Sequence, residues 1–406
     1  MRNYLAILLI LFIFSCKSPI DPTNSLIQYI AGIDIREDIE ERKLYFGTGN
    51  GIKYFDFDDT TLSVHTFYNN NLPTGGNSAT IFTNNLLATS YIKSYTDHPT
   101  GEGIYYANIN DEIWINLSQP IDVDTSDYIT IIWGNQNIKS LAVSTNINNV
   151  TYDISIIGDY IYSAGWASGI RRYNYINNEN WEIVPLPLDS EYELVCGNIN
   201  LNTYTVNPLD PINGGNHNHK GFSVYNDGEF IWVGTANGIN RGIIRNECID
   251  WVHFTSTTHN ISGNWVIGFT HQENATHTRL WAITWNAGGM NDFNALSYTD
   301  NAGETWETVM PAGISEKVYN LYSDSTSVWA STESGLYYTL DQLSWNKIES
   351  PHGKNQSILT SIRAKNDFNA IWIGTEYGFA RTYNFGNSWE LFSMAGEINY
   401  WGFVAE

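Results

Sequence analysis

The sequence predicts an all-β chain, a single β-propeller of seven four-stranded antiparallel blades, with eight blades as the alternative count. Three observations predict it. A short apolar segment running into a glycine-closed turn recurs along the chain, a Trp-bearing segment follows most copies, and the copies lie roughly 40 to 50 residues apart, the period of propeller blades. The 406 residues are 42% hydrophobic and 14% aromatic, enough for a large core, and only 16% are charged, which argues against disorder. Twenty Lys and Arg stand against 43 Asp and Glu, for a net charge of -23. The basic residues are scattered, so a nucleic-acid partner would lack its electrostatic footprint.

The N-terminus reads as an export signal. Arg2 supplies a positive start, Leu5 to Phe14 form an apolar run too short to span a bilayer, and Ser15 precedes Cys16. Residues 1–15 are therefore expected to be a lipoprotein signal peptide and residues 16–25 a polar, Pro-containing tether. Residues 26–406 are expected to be the propeller. The segment Ile13-Phe14-Ser15-Cys16 resembles the bacterial lipobox. That resemblance implies lipidation of Cys16, a membrane partner reached through the lipid, and a cell-envelope location at the outer membrane or cell surface.

The repeats begin at Leu44 (LYFGTGNGI), Ile231 (IWVGTANGI), Val328 (VWASTESGL) and Ile371 (IWIGTEYGF), with a longer copy at Ile161 (IYSAGWASGI). Their turns close on Gly51, Gly238, Gly335, Gly378 and Gly169, where a hairpin calls for positive φ. Diverged copies at Leu86 and Leu280 complete seven. Downstream strands carry Trp114, Trp181, Trp251, Trp306, Trp345 and Trp389. The C-terminal NYWGFVAE matches the inner-strand segment at Asn264 and is expected to clasp blade 1; an unfinished eighth blade is the other reading.

The IWIGT, spacer, Gly-apolar pattern resembles the two-component-regulator propeller repeat. TDNAGETW (Thr299 to Trp306) and TYNFGNSW (Thr382 to Trp389) resemble the Asp-box of BNR repeats, with Asn301 and Asn384 where the Asp usually stands. The resemblance implies a structural role: the Asx residue closes a turn and Trp306 or Trp389 packs between blades. TLDQLSW is a copy one residue short. Sialidases share this motif, but the arginine cluster their substrates need is missing. Arg172, Arg241 and Arg381 recur three residues after a turn glycine, which marks them as part of the repeat.

Metal and thiol chemistry is thinly represented. His217 and His219 with Asp210 could offer two imidazoles and a carboxylate to zinc, and Asp122, Asp124 and Asp127 could offer oxygens to calcium. Solvated loop residues are the plainer reading of both, and no cofactor is expected. Cys196 and Cys248 read as two buried thiols, ahead of a disulfide.

Extra residues fall unevenly. With strands labelled A to D outward from the centre, insertions at 90–103 and 285–294 lie in B–C connections, and those at 119–149 and 185–220 in D–A connections. These connections share one face of a propeller, and all four belong to blades 2 to 5. The loops carry Tyr91, Tyr95, His98, Trp133, Tyr192, Tyr204, His217, His219 and Trp285, which are the candidate ligand contacts. The function expected is a non-enzymatic binding or assembly module holding an envelope protein or glycan on that face. The alternative is a glycan-active hydrolase or lyase of sialidase-like fold, which would need two suitably spaced carboxyl groups.

Overall fold

Seven sheets follow strict chain order, each running A-B-C-D from its first strand to its last. The structure is a computed structural model. It describes residues 34–393, apart from 40–41, 49–50, 61–62, 68–71, 74–75, 84, 95–98, 112, 123–126, 178–179, 247, 274–277 and 368. The A strands of blades 1 to 7 are Asp34–Asp38, Gly76–Thr83, Thr151–Ile157, Gly221–Asn226, Trp265–Glu273, Val318–Ser323 and Thr360–Arg363. They contact one another in cyclic order and close the ring between blades 7 and 1. The signal segment, Cys16 and the expected C-terminal clasp lie outside the described residues.

The repeated B segments become strands buried on both faces, as at Ile231–Thr235, Val328–Thr332 and Ile371–Thr375. A strand sandwiched between neighbouring blades needs a continuous apolar run, which explains why these segments do not alternate. The threonine ending the run closes the turn that follows. Its hydroxyl donates to the carbonyl of the turn glycine three residues on, at 2.8 Å from Thr48 to Gly51, 3.1 Å from Thr235 to Gly238, 3.0 Å from Thr332 to Gly335 and 3.1 Å from Thr375 to Gly378. Gly238 has φ 105°, and a Cβ there would sit 2.1 Å from the Phe254 carbonyl oxygen.

The Asp-box turns join C to D. The Asn301 side-chain oxygen accepts from the Thr299 hydroxyl and from the Thr305 backbone, both at 2.9 Å, and Asn384 repeats this with Thr382 and Ser388. The shortened copy keeps the turn by using a carboxylate, with Asp341 accepting from Thr339, Leu343 and Ser344. Those donors, the two backbone amides foremost, hold its pKa down at about 2. Trp306 packs against Trp232 and Phe254 of blade 4. Arg172 and Arg381 pair with D-strand carboxylates, Glu182 at 2.6 Å and Glu390 at 2.7 Å, while Arg241 donates across to the Ala302 carbonyl of the next blade.

Closure uses side chains on both sides of the joint. Phe46 and Phe55 of blade 1 pack with Trp372 and Phe379 of blade 7 in one buried cluster. Beside it, the Glu37 carboxylate accepts from the backbone amides of Lys365 and Asn366 at 3.0 and 2.9 Å.

An eighth sheet departs from the simple ring. The insertions at 119–149 and 185–220 meet in a three-stranded sheet, ordered Thr205–Val206, Gln136–Leu141, Tyr128–Trp133. Its inner face joins a cluster shared with blades 3 and 4, including Trp133, Ile138, Tyr162, Val233 and Trp251. Glu193–Leu194 adds a fifth strand to blade 4, against Val252 and Trp251 of its D strand. That pairing corrects the reading of two separate thiols. It carries Cys196 to Cys248 with Cα atoms 6.0 Å apart, and the two form a disulfide across 52 positions of sequence. Disulfides persist in oxidising compartments, so the bond indicates an extracytoplasmic location.

Candidate binding site

D–A and B–C connections do emerge together, because they hydrogen-bond to each other: Phe293 to the Ser262 carbonyl at 2.8 Å, Asn294 to the Ser315 hydroxyl at 2.9 Å, Ala236 to the Lys220 carbonyl at 3.1 Å. The sheet formed by the two long D–A insertions does not stay on that face. Their sheet fills the wedge between blades 3 and 4, and its hairpin turn reaches the disulfide, where a Cβ on Gly134 would meet both sulfurs at 3.0 Å. Cys248 lies at the C–D end of blade 4, so the insert spans the rim from one face toward the other.

Most of the expected aromatic contacts belong to the core, which corrects their reading as a ligand-facing set. Tyr91, Trp133, Tyr204 and Trp285 are buried. Tyr204 donates to the Leu186 carbonyl at 2.6 Å, Trp285 to the Val318 carbonyl at 2.9 Å, and Trp133 lies beneath the Arg172 guanidinium at 4.9 Å. Tyr91, Trp133 and Trp285 stand in strands, Leu86–Ser94, Tyr128–Trp133 and Thr278–Trp285, and Tyr204 directly precedes Thr205–Val206, so each ring covers apolar surface, where large aromatics gain most. Tyr192 is exposed, stacked on His259 at 5.5 Å with an interplanar angle of 11°. Tyr95 and His98 lie outside the described residues.

The zinc reading fails on donor geometry. His219 is buried, its Nδ1 accepts from the Asn207 amide at 2.9 Å and its Nε2 faces the Leu186 carbonyl at 3.0 Å, so neither nitrogen has a lone pair to give. Burial, ahead of those contacts, lowers its pKa and keeps the ring neutral. Asp210 is bound by Lys220, with His217 at 3.7 Å. In the calcium candidate, Asp122 pairs with Arg171 at 2.8 Å and accepts from the Ser144 amide at 2.9 Å; Asp124 is outside the described residues.

The face instead presents exposed aliphatic side chains. Met290 is fully exposed, Ile212 92% and Ile314 64%. Each stands between turn formers, in Gly-Gly-Met-Asn-Asp, Pro-Ile-Asn-Gly-Gly and Ala-Gly-Ile-Ser. The loop bearing Met290 is pinned at both ends. Asn286 donates to Asn294 at 2.9 Å, Ala287 to the Asp292 carboxylate at 3.2 Å and Gly288 to Asn286 at 2.6 Å.

A central channel of about 830 Å³ runs between the seven A strands. Three of its four carboxylates are engaged in holding backbone, and the fourth, Glu273, is exposed with His271 at 3.9 Å. Asp153 accepts from the amides of Ile154 and Val224, each at 2.9 Å, joining blades 3 and 4. Asp324 closes its own turn through Thr326 and Ser327, and Glu37 latches blade 7. Tyr225 meets His271 Nδ1 at 2.5 Å, and burial pushes its pKa up to about 12.

No family model and no curated protein matches the chain. Solved structures do. The extracellular domain of the B. thetaiotaomicron system BT4673 superposes with TM-score 0.54 at 16% identity, covering 87% of this chain and 38% of that one. An ancestral GH74 enzyme superposes with TM-score 0.52 at 9% identity, over 88% of this chain and 48% of that one. The chain thus spans less than half the length of either. Both likenesses establish the fold: this protein is a β-propeller.

Proposed function

We propose that the chain is a non-enzymatic binding module of the cell envelope, anchored through Cys16, that holds an envelope protein or glycan on the face formed by its B–C and D–A connections. The observation that carries this reading is Met290, held fully in water by a loop whose backbone is fixed. A rigid loop has little conformational entropy left to lose on binding. Methionine adapts its shape to what it meets. Ile212 and Ile314 extend the apolar surface of the same face. The extracellular setting of the BT4673 propeller is consistent with this placement. Against a hydrolase or lyase stands the engagement of Asp153, Asp324 and Glu37, three of the four channel carboxylates, in hydrogen bonds from backbone amides, because glycoside hydrolysis needs two carboxyl groups aimed at substrate.

The test is capture of envelope glycans and envelope proteins by wild type and by a combined Met290→Ser, Ile212→Ser, Ile314→Ser variant. Removing three exposed anchors should weaken capture roughly tenfold or more and leave the thermal midpoint unchanged. Equal capture by both would remove the face from the proposal. The anchor has its own readout: Cys16→Ser should abolish palmitate labelling and release the protein from membranes, and labelling that survives would exclude Cys16 as the site.

A further inference from the structure

Met290 is the sulfur that the fold leaves in the open. It is 100% exposed, against 37% for Met310, the other methionine among the described residues. The Asp292 amide donates to the Gly289 carbonyl at 3.1 Å, closing a turn in which Met290 is the first central residue. Gly289 gives the Asp292 carboxylate its room, since a Cβ there would lie 2.7 Å from Oδ1, and that carboxylate holds the Ala287 amide at 3.2 Å. Ala287, Gly288 and Gly289 lead into the turn with nothing larger than a methyl group to shade the thioether. Cys196 and Cys248 offer no rival thiol, because they are joined to each other. The same disulfide indicates a compartment without the reducing thiol pool of the cytosol, where an oxidant reaches the protein more readily.

We propose that Met290 is a reversible oxidation site, modified by hydroperoxides, and that its oxidation switches off capture by the loop face. The switch rests on the binding reading above, whereas the modification itself does not. A lone pair on Met290 Sδ attacks one oxygen of hydrogen peroxide, and an S–O bond forms as the O–O bond breaks. The proton on the transferred oxygen passes to the departing hydroxide, which leaves as water. Sulfur loses two electrons and the peroxide gains them. The sulfoxide sets a polar S–O group where an adaptable apolar side chain had met its partner. Burying that group without a hydrogen bond is costly, so the contact weakens. A reductase dithiol reverses the step: its two thiols become a disulfide, the sulfoxide oxygen departs as water and the thioether is restored.

The full chain in dilute hydrogen peroxide, followed by peptide mass spectrometry, should gain one oxygen at Met290 roughly fivefold or more faster than at Met310, as their exposure ranks them. A Met310→Leu, Met394→Leu variant keeps Met290 as the one methionine of residues 16–406. Its capture from the same envelope proteins and glycans should match wild type before peroxide. Capture should then fall roughly tenfold or more in step with Met290 sulfoxide, at an unchanged thermal midpoint, and methionine sulfoxide reductase with a dithiol should restore it. Equal rates at Met290 and Met310 would overturn the site. Capture that persists with Met290 fully converted, or a loss that the reductase does not reverse while it removes the sulfoxide, would overturn the switch. Absence of capture before any peroxide would count against the binding face and the switch together, and the rate comparison would still decide the site.

Discussion

Thr235 and Gly238 show how much of a blade is decided within four residues. The hydroxyl closes the turn, and the glycine supplies a positive φ in a space where the Phe254 carbonyl excludes a Cβ. Gly238→Val should therefore destabilise the protein by about 1–3 kcal/mol, or more through the steric contact, seen as a lowered denaturation midpoint. An unchanged midpoint would mean that the turn does not constrain the blade. The glycines were legible in the sequence because they recur in register. The threonine's part was not singled out there, although it stands three residues before the glycine in four copies. At Tyr91, Trp133, Tyr204 and Trp285 the sequence misled for a physical reason: an aromatic in an inserted loop is compatible with binding and with burial, and only packing distinguishes them. Met290, Ile212 and Ile314 carried a weak signal, one large apolar residue inside a run of turn formers.

At the scale of elements, the seven blades were legible because each repeats the same apolar run, turn and Trp-bearing strand. The insert was not legible, since its hairpin and its short strands at Glu193–Leu194 and Thr205–Val206 come from two segments far apart in sequence and match no repeat. The disulfide was hidden for the same reason. Cys196 reaches Cys248 only once Glu193–Leu194 has paired with blade 4 and the Cys196 amide has found the Asp250 carboxylate at 2.8 Å. Closing a loop of this length limits the unfolded chain, so Cys196→Ser should lower stability by about 2–4 kcal/mol. Denaturant titration checks this, with thiol counting on the wild-type protein as the companion measurement. A wild type with both thiols free, or a variant as stable as wild type, would contradict the assignment.

Across the whole molecule, the ring supplies rigidity and leaves its two faces different in kind. One face gathers B–C and D–A connections, with Met290 and Ile314 exposed on loops tied to their neighbours. The other gathers A–B turns and Asp-box turns, whose polar atoms are engaged in closing them. The channel between them is lined by strands, two pairs of which are joined by the Asp153 and Glu37 carboxylates. Division of labour between a binding face and a structural remainder is the central claim. Hydrogen–deuterium exchange on the protein alone and bound to a captured envelope partner tests it most directly. The account predicts slowed exchange in 286–294, 311–316 and 210–216, with the A strands unchanged. Protection confined to the channel mouth at 37–39, 271–273 and 324–326, with the loop face unaltered, would contradict it.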